Sequence, residues 1–139
     1  MVRDKYIIDT SIWVDLYEDR KGYNSEPLGD YALKLLVKLK AKEDTIVLTD
    51  FLIHELETIY SIAEINGIFK PFEKIITKII ATEKQREEAK KIAAEKDVPA
   101  GDVLHAIIAR DNDLILVTRD KHFRKLEYLS KHYKPEELI

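Results

Sequence analysis

The sequence predicts an α/β layer fold built on a mainly parallel sheet. Short apolar runs alternate along the chain with longer segments that repeat apolar residues at helical spacing. One of those segments, Val103 to Ala109, is apolar on nearly every side, so it must be a buried helix rather than an amphipathic one. The run that follows it, Leu114-Ile115-Leu116-Val117, has the length of a fully buried strand. At 139 residues the chain has room for one domain with a real core.

In order, Lys5-Tyr6-Ile7-Ile8 is a strand ending at Asp9, and Thr10 and Ser11 suit the N-cap of a helix from Ile12 to Glu18. The polar, Gly- and Pro-containing stretch 19–29 reads as a loop. From Asp30 to Lys42, Tyr31, Leu35, Leu36 and Leu39 recur at helical spacing with lysines opposite. Thr45-Ile46-Val47-Leu48 is a second strand, and Thr49 or Asp50 caps a third helix, Phe51 to Ile65, expected to stop at Asn66-Gly67. Its apolar positions cover more than the one face a core needs, so part of this surface is expected to meet a partner. A short helix after Pro71 and a strand around Lys78-Ile79-Ile80 come next. Thr82 and Gln85 form a capping-box pattern opening a helix that ends near Asp97. Pro99 and Asp102 suit the first turn of the buried helix, the one by its fixed φ and the other by its charge at the positive end of the dipole. Asp113 breaks that helix before the strand Leu114–Val117. A short helix follows Asp120, then an irregular stretch around Leu126 to Leu129 and a polar tail. With no repeat, low-complexity segment or linker, a single domain over 1–139 is expected.

Lys and Arg number 23 against 26 acidic residues, a net charge of −3, which lacks the basic footprint of a stand-alone nucleic-acid binder. Bound metal ions would change that balance locally. The absence of Cys rules out disulfides and thiolate metal sites. Nothing resembles a signal peptide or an apolar span of about 18 residues or more, so no membrane is expected and the cytoplasm is the expected location. Abundant Lys, Glu and Ile with a single Met lean toward the composition of heat-adapted proteins.

The acids carry the chemistry. Asp9 follows the first strand, Asp120 follows a later one, and Asp102 heads the buried helix. In a parallel sheet the ends of those strands share one edge, where ligands bind. Glu55 lies one turn into the helix after the second strand, between Ile53 and Leu56, with Glu57 as the alternative inward acid. Converging carboxylates raise one another's pKa unless a cation sits among them. Magnesium suits such a site, and two ions could clamp the attacking and leaving oxygens of a phosphodiester. Taken singly, Asp9 and Asp102 also read as helix-start acids and Asp120 as a turn residue. Ser11 and Thr118 read as caps or turn formers, yet both are placed to bond a carboxylate or a bound water. His105, one turn after Asp102, is most simply a packed side chain, and His54 and His122 show no spacing of a zinc site. Arg119 and Lys121 flank Asp120 as candidate RNA phosphate contacts, or as an exposed turn.

Ile8-Asp9-Thr10-Ser11, Glu55, Gly101-Asp102-Val103-Leu104-His105-Ala106 and Val117-Thr118-Arg119-Asp120-Lys121-His122-Phe123 together resemble the PIN-domain ribonucleases. The resemblance spans essentially the whole chain and is strongest to the toxin ribonucleases of VapBC-type toxin–antitoxin systems. It implies a three-layer α/β/α sandwich and an endoribonuclease dependent on Mg2+ or Mn2+. It also implies a catalytic quartet of Asp9, Glu55, Asp102 and Asp120, with the metal on Asp9, Asp102 and Asp120 and the family's hydroxyl at Thr118. Ser11 stands where the family often has Asn. The family commonly forms homodimers and binds a small antitoxin protein, so both partners are expected, with part of Phe51–Phe69 contributing. Alternatives are an RNA-processing PIN nuclease outside toxin–antitoxin systems and a non-catalytic PIN-fold binding module. A haloacid-dehalogenase-like phosphatase fits less well, because Asp9-Thr10-Ser11 lacks that family's second Asp. Ribosomal-RNA-processing relatives often carry a zinc ribbon, for which this chain has no Cys.

Overall fold

The computed structural model describes residues 3–139. Five strands form one sheet: β1 (Lys5–Ile8), β2 (Thr45–Thr49), β3 (Ile76–Ile79), β4 (Ile115–Val117) and β5 (His132–Tyr133). Their order is β3-β2-β1-β4-β5, and every pairing is parallel. Among the described residues six α-helices cover it: α1 (Thr10–Glu18), α2 (Leu28–Lys42), α3 (Asp50–Glu57), α4 (Ile62–Phe69), α5 (Glu83–Lys96) and α6 (Ala100–Asn112). Because successive strand side chains point to opposite faces, the core divides in two. Tyr6, Ile8, Ile46, Leu48 and Val117 pack with α1, α2, α3 and α4. Ile7, Val47 and Leu116 pack with α5 and α6. The result is the expected three-layer α/β/α sandwich. Residues Val103 to Ala109 of α6 are all buried, as an all-round apolar helix must be. Among the described residues no helix is long and apolar enough to cross a membrane.

Several local expectations are corrected. Helix α1 starts at Thr10, not Ile12, because Asp9 caps it and accepts the Thr10 N–H at 2.9 Å. The expected third helix is two helices. It stops at Glu57, and Ser61 opens α4 through a capping box with Glu64 (3.1 and 3.2 Å). Asn66-Gly67 does not end α4, since Ile65 and Ile68 on either side are buried and hold the chain helical. Pro99 is the N-cap of α6 rather than a first-turn residue, and β3 begins two residues before its expected start. The polar tail contains β5 and a 3-10 turn, Pro135–Glu137. Helix α2 begins at Leu28, two residues before its expected start, and passes so close to α1 that a Cβ on Gly29 would lie 2.6 Å from Asp19 Oδ1 and 2.8 Å from the Asp15 carbonyl.

Candidate functional site

Strands β1 and β4 are neighbours with Ile8 beside Val117, so Asp9 and Thr118 leave the carboxyl edge of the sheet together. The Asp9 N–H donates to the Val117 carbonyl at 2.9 Å, continuing the ladder by one residue. Asp9 is buried, 6% exposed as a residue, and its carboxylate is well supplied with donors. It accepts from the Thr10 N–H (2.9 Å), the Ser11 hydroxyl (3.0 Å) and the Thr118 hydroxyl (2.9 Å). His105 Nδ1 approaches to 3.4 Å, with the ring packed on Phe51 at 4.3 Å between centroids. At that distance neither ring nitrogen of His105 completes a hydrogen bond among the described residues. Burial pushes the Asp9 carboxyl up, but His105 and the Thr118 and Ser11 hydroxyls outweigh it and hold the group below its usual value.

A second cluster lies outward of this pocket. Asp102, in the first turn of α6, places Oδ2 3.0 Å from His122 Nδ1. Asp120 Oδ1 is also 3.0 Å from that nitrogen and accepts the His122 N–H at 2.9 Å, capping the 3-10 helix Lys121–Leu126. The Asp120 N–H donates to Thr118 Oγ1 at 3.0 Å, so Thr118 links the two groups. One donor atom from each of Asp102, Asp120 and His122 lies within 4.8 Å of the others. The Asp102 carboxyl is pushed up to about 6 by burial and by the charges of Asp120 and Asp9, with His122 opposing. Negative charge here exceeds what the protein neutralises. Carboxylate oxygens with one imidazole fit a hard divalent cation, which would remove that excess.

Glu55 is exposed at the perimeter and accepts the Thr10 hydroxyl at 3.0 Å, which ties α3 to the residue beside Asp9. Glu57, the alternative inward acid, is exposed. Of the two candidate phosphate contacts, Lys121 is exposed, but Arg119 is already engaged. Its guanidinium makes a two-bond pair with Glu136 (2.9 and 2.6 Å), lies 3.6 Å from Asp15 Oδ2 and sits 5.8 Å over the Tyr31 ring. It turns inward because Asp15 is buried and needs a cation nearby: burial raises the Asp15 carboxyl and Arg119 opposes the rise. Spacing gave no hint that His122 joins Asp102, twenty residues away. The only local signal was Asp120-Lys121-His122, in which an Asp caps the turn that carries the His.

The PIN domain family model matches residues 6–128. Among solved structures the fold is similar to VapBC2 from Rickettsia felis bound to a DNA fragment from its promoter. That pair is 20% identical over 94% of this chain and 98% of the other, with a TM-score of 0.67. It is similar to PAE2754 from Pyrobaculum aerophilum (17% identity, 97% and 92% coverage, TM-score 0.60). A toxin–antitoxin complex from Klebsiella pneumoniae also resembles it (17% identity, 94% and 97% coverage, TM-score 0.58). No curated protein matches the chain.

Proposed function

The chain belongs to the PIN-domain family, and from that premise we propose that it is a metal-dependent endoribonuclease, the toxin of a toxin–antitoxin pair. The observation that carries the reading is the uncompensated charge at the carboxyl edge, where Asp102 is pushed up to about 6 beside Asp120 and Asp9. Asp9, Asp102 and Asp120 would hold Mg2+ or Mn2+, with His122 as a further donor. A bound ion of this kind supplies an activated water and neutralises charge on the phosphodiester. Asp9 enters the site already oriented by Ser11 and Thr118, so it needs no rearrangement to act. Asp120 is held by its cap on the 3-10 helix, and Glu55 closes the acidic perimeter through Thr10. Work on RNA implies a cytoplasmic location.

Two of the similar structures support a small antitoxin partner here: one is VapBC2 and another is a toxin–antitoxin complex. A homodimer is supported by Ile59 and Ile62, 54% and 69% exposed within the Phe51–Phe69 region. The experiment is cleavage of single-stranded RNA with magnesium or manganese against a chelator control. Cleavage that survives chelation overturns the metal-dependent reading. A species that light scattering finds monomeric at tens of micromolar overturns the dimer.

A further inference from the structure

We propose that the hollow on the far side of Asp120 is a channel for the phosphate backbone of RNA as it leaves the acidic site; this rests on the nuclease reading above. The chain is net negative, and four acids gather at the site edge, so an RNA strand must find cations close by. The hollow has a volume of about 310 Å³, and its walls include Thr118, Asp120, Lys121, Arg124, His132 and Lys134. Asp120 and Thr118 belong to both spaces, so a strand bound at the acids passes over Asp120 to enter it.

The cations of the hollow are positioned by the fold. In a 3-10 helix, residues three apart stand one above the other. Phe123 and Leu126, 1% and 0% exposed, anchor the helix Lys121–Leu126 to the core. That anchoring leaves Lys121 and Arg124, also three apart, exposed in one row. Lys134 faces them from the turn after β5. None of the three forms an ion pair among the described residues, whereas neighbouring cations are engaged. Arg119 is held by Glu136 and Asp15, and Lys125 Nζ donates to the Lys96 carbonyl at 3.2 Å. Two carboxylates besides Asp120 share the hollow. Glu137 accepts the Lys134 N–H at 2.9 Å, and Glu127 lies 3.6 Å from His132 Nδ1. On the Glu55 side of the site, Arg86 is paired with Asp50. The uncommitted cations of the hollow therefore stand directly beside Asp120. Cations of this kind bind phosphates and carry no base information, so the channel sets the strand's path rather than its sequence.

The test is fluorescence anisotropy of a labelled single-stranded RNA across a salt series with chelator present, paired with cleavage kinetics in magnesium. The variant is Lys121→Ala/Arg124→Ala/Lys134→Ala. The control is Lys5→Ala/Lys74→Ala, exposed at the opposite edge of the sheet. The slope of log K against log salt should fall by about 0.7 for each phosphate no longer neutralised, roughly 2 for the triple variant. KM should rise more than kcat falls, and the control should match wild type. A triple variant with wild-type slope and KM, beside a wild type that cleaves, overturns the channel and leaves the nuclease reading intact. Binding that depends on the three cations without any cleavage supports the channel and overturns the nuclease reading. A wild type that neither binds nor cleaves overturns both.

Discussion

Asp9 and Asp102 carry the same carboxyl group at the same edge of the sheet. Asp9 receives three hydrogen bonds from Thr10, Ser11 and Thr118 and has His105 beside it. Asp102 has one imidazole within bonding distance, shared with Asp120, and is pushed up by burial and by the like charges of Asp120 and Asp9. The inner group is held below its usual pKa and the outer one is pushed up to about 6. The difference separates a frame from an opening. The protein satisfies Asp9 with its own donors, so that carboxylate is fixed and ionised before any ligand arrives. It leaves the Asp102–Asp120 cluster unsatisfied, and that is where a cation changes the energetics most.

The contrast breaks most sharply at Asp9. Asp9→Asn keeps the size of the group, and its amide oxygen can still accept the Thr10 N–H, so the fold should persist by circular dichroism. It removes one charge and, on the proposed function, one strong metal ligand. A loss of two factors of ten in rate corresponds to about 2.7 kcal/mol of barrier. Cleavage of single-stranded RNA should therefore fall about a hundredfold or more. A variant as fast as wild type would remove the inner carboxylate from the chemistry and favour a binding module.

The next effect is on stability and lies in the outer cluster. A carboxyl whose folded pKa is raised from 3.8 to about 6 stabilises the fold below pH 3.8, and that contribution is lost as pH rises through about 6. The shift sets an upper bound of roughly 3 kcal/mol. In chelator, Asp102→Asn should match or exceed wild type in thermal stability near neutral pH, and should lack the decline between about pH 4 and 6. His122 keeps Asp120 as a partner in the variant. Magnesium should raise the melting temperature of wild type by mass action and that of the variant much less. The inner group behaves oppositely: with its pKa lowered, Asp9 stabilises the fold above its unfolded value, and that contribution is lost as acid reaches its folded one. No magnesium-dependent shift in wild type would argue against the outer cluster as a metal site.

This division was only half legible in the sequence. The layered fold could be read because buried strands and an all-apolar helix follow simple periodicity. The edge position of Asp9 and Asp120 followed from parallel strands. What failed was local or distant. A capping box at Ser61 ended one helix and began another inside an unbroken apolar pattern. The polar tail supplied β5 because strand pairing, rather than apolar content, holds His132 beside Leu116. His122 met Asp102 through the path of the chain after β4, and Arg119 turned inward to a buried acid and a C-terminal one. Such pairings depend on three-dimensional closure, which no spacing rule encodes.

A third and smaller effect sharpens the comparison, because Arg119 lies between Thr118 of the inner pocket and Asp120 of the outer cluster. Glu136→Gln loses the charged half of a two-bond pair, and hydrogen bonds to charged groups contribute about 1.5–3 kcal/mol. Glu136 is partly exposed and Asp15 remains near the guanidinium, so the cost should fall at the lower end of that range. Urea denaturation should show the same loss with and without magnesium. A loss that magnesium reverses would mean that the clamp acts only through the acidic cluster.

The smallest effect is expected at Glu55, which belongs to neither group. It is exposed, and among the described residues its carboxylate has one partner, the Thr10 hydroxyl at 3.0 Å. Glu55→Gln retains an oxygen for that bond, and surface substitutions of this kind usually stay within about 0.5 kcal/mol. Stability should therefore be unchanged with or without magnesium, unlike Asp102→Asn. The charge at the perimeter is lost, so cleavage should slow, by less than in Asp9→Asn because no buried hydrogen-bond network is disturbed. Rates measured at several magnesium concentrations decide what the charge does. A defect that closes at high magnesium means that Glu55 acts through metal affinity, and one that persists means that it acts on the substrate or its water. A Gln variant equal to wild type at every concentration would reduce Glu55 to a tether between α3 and the start of α1.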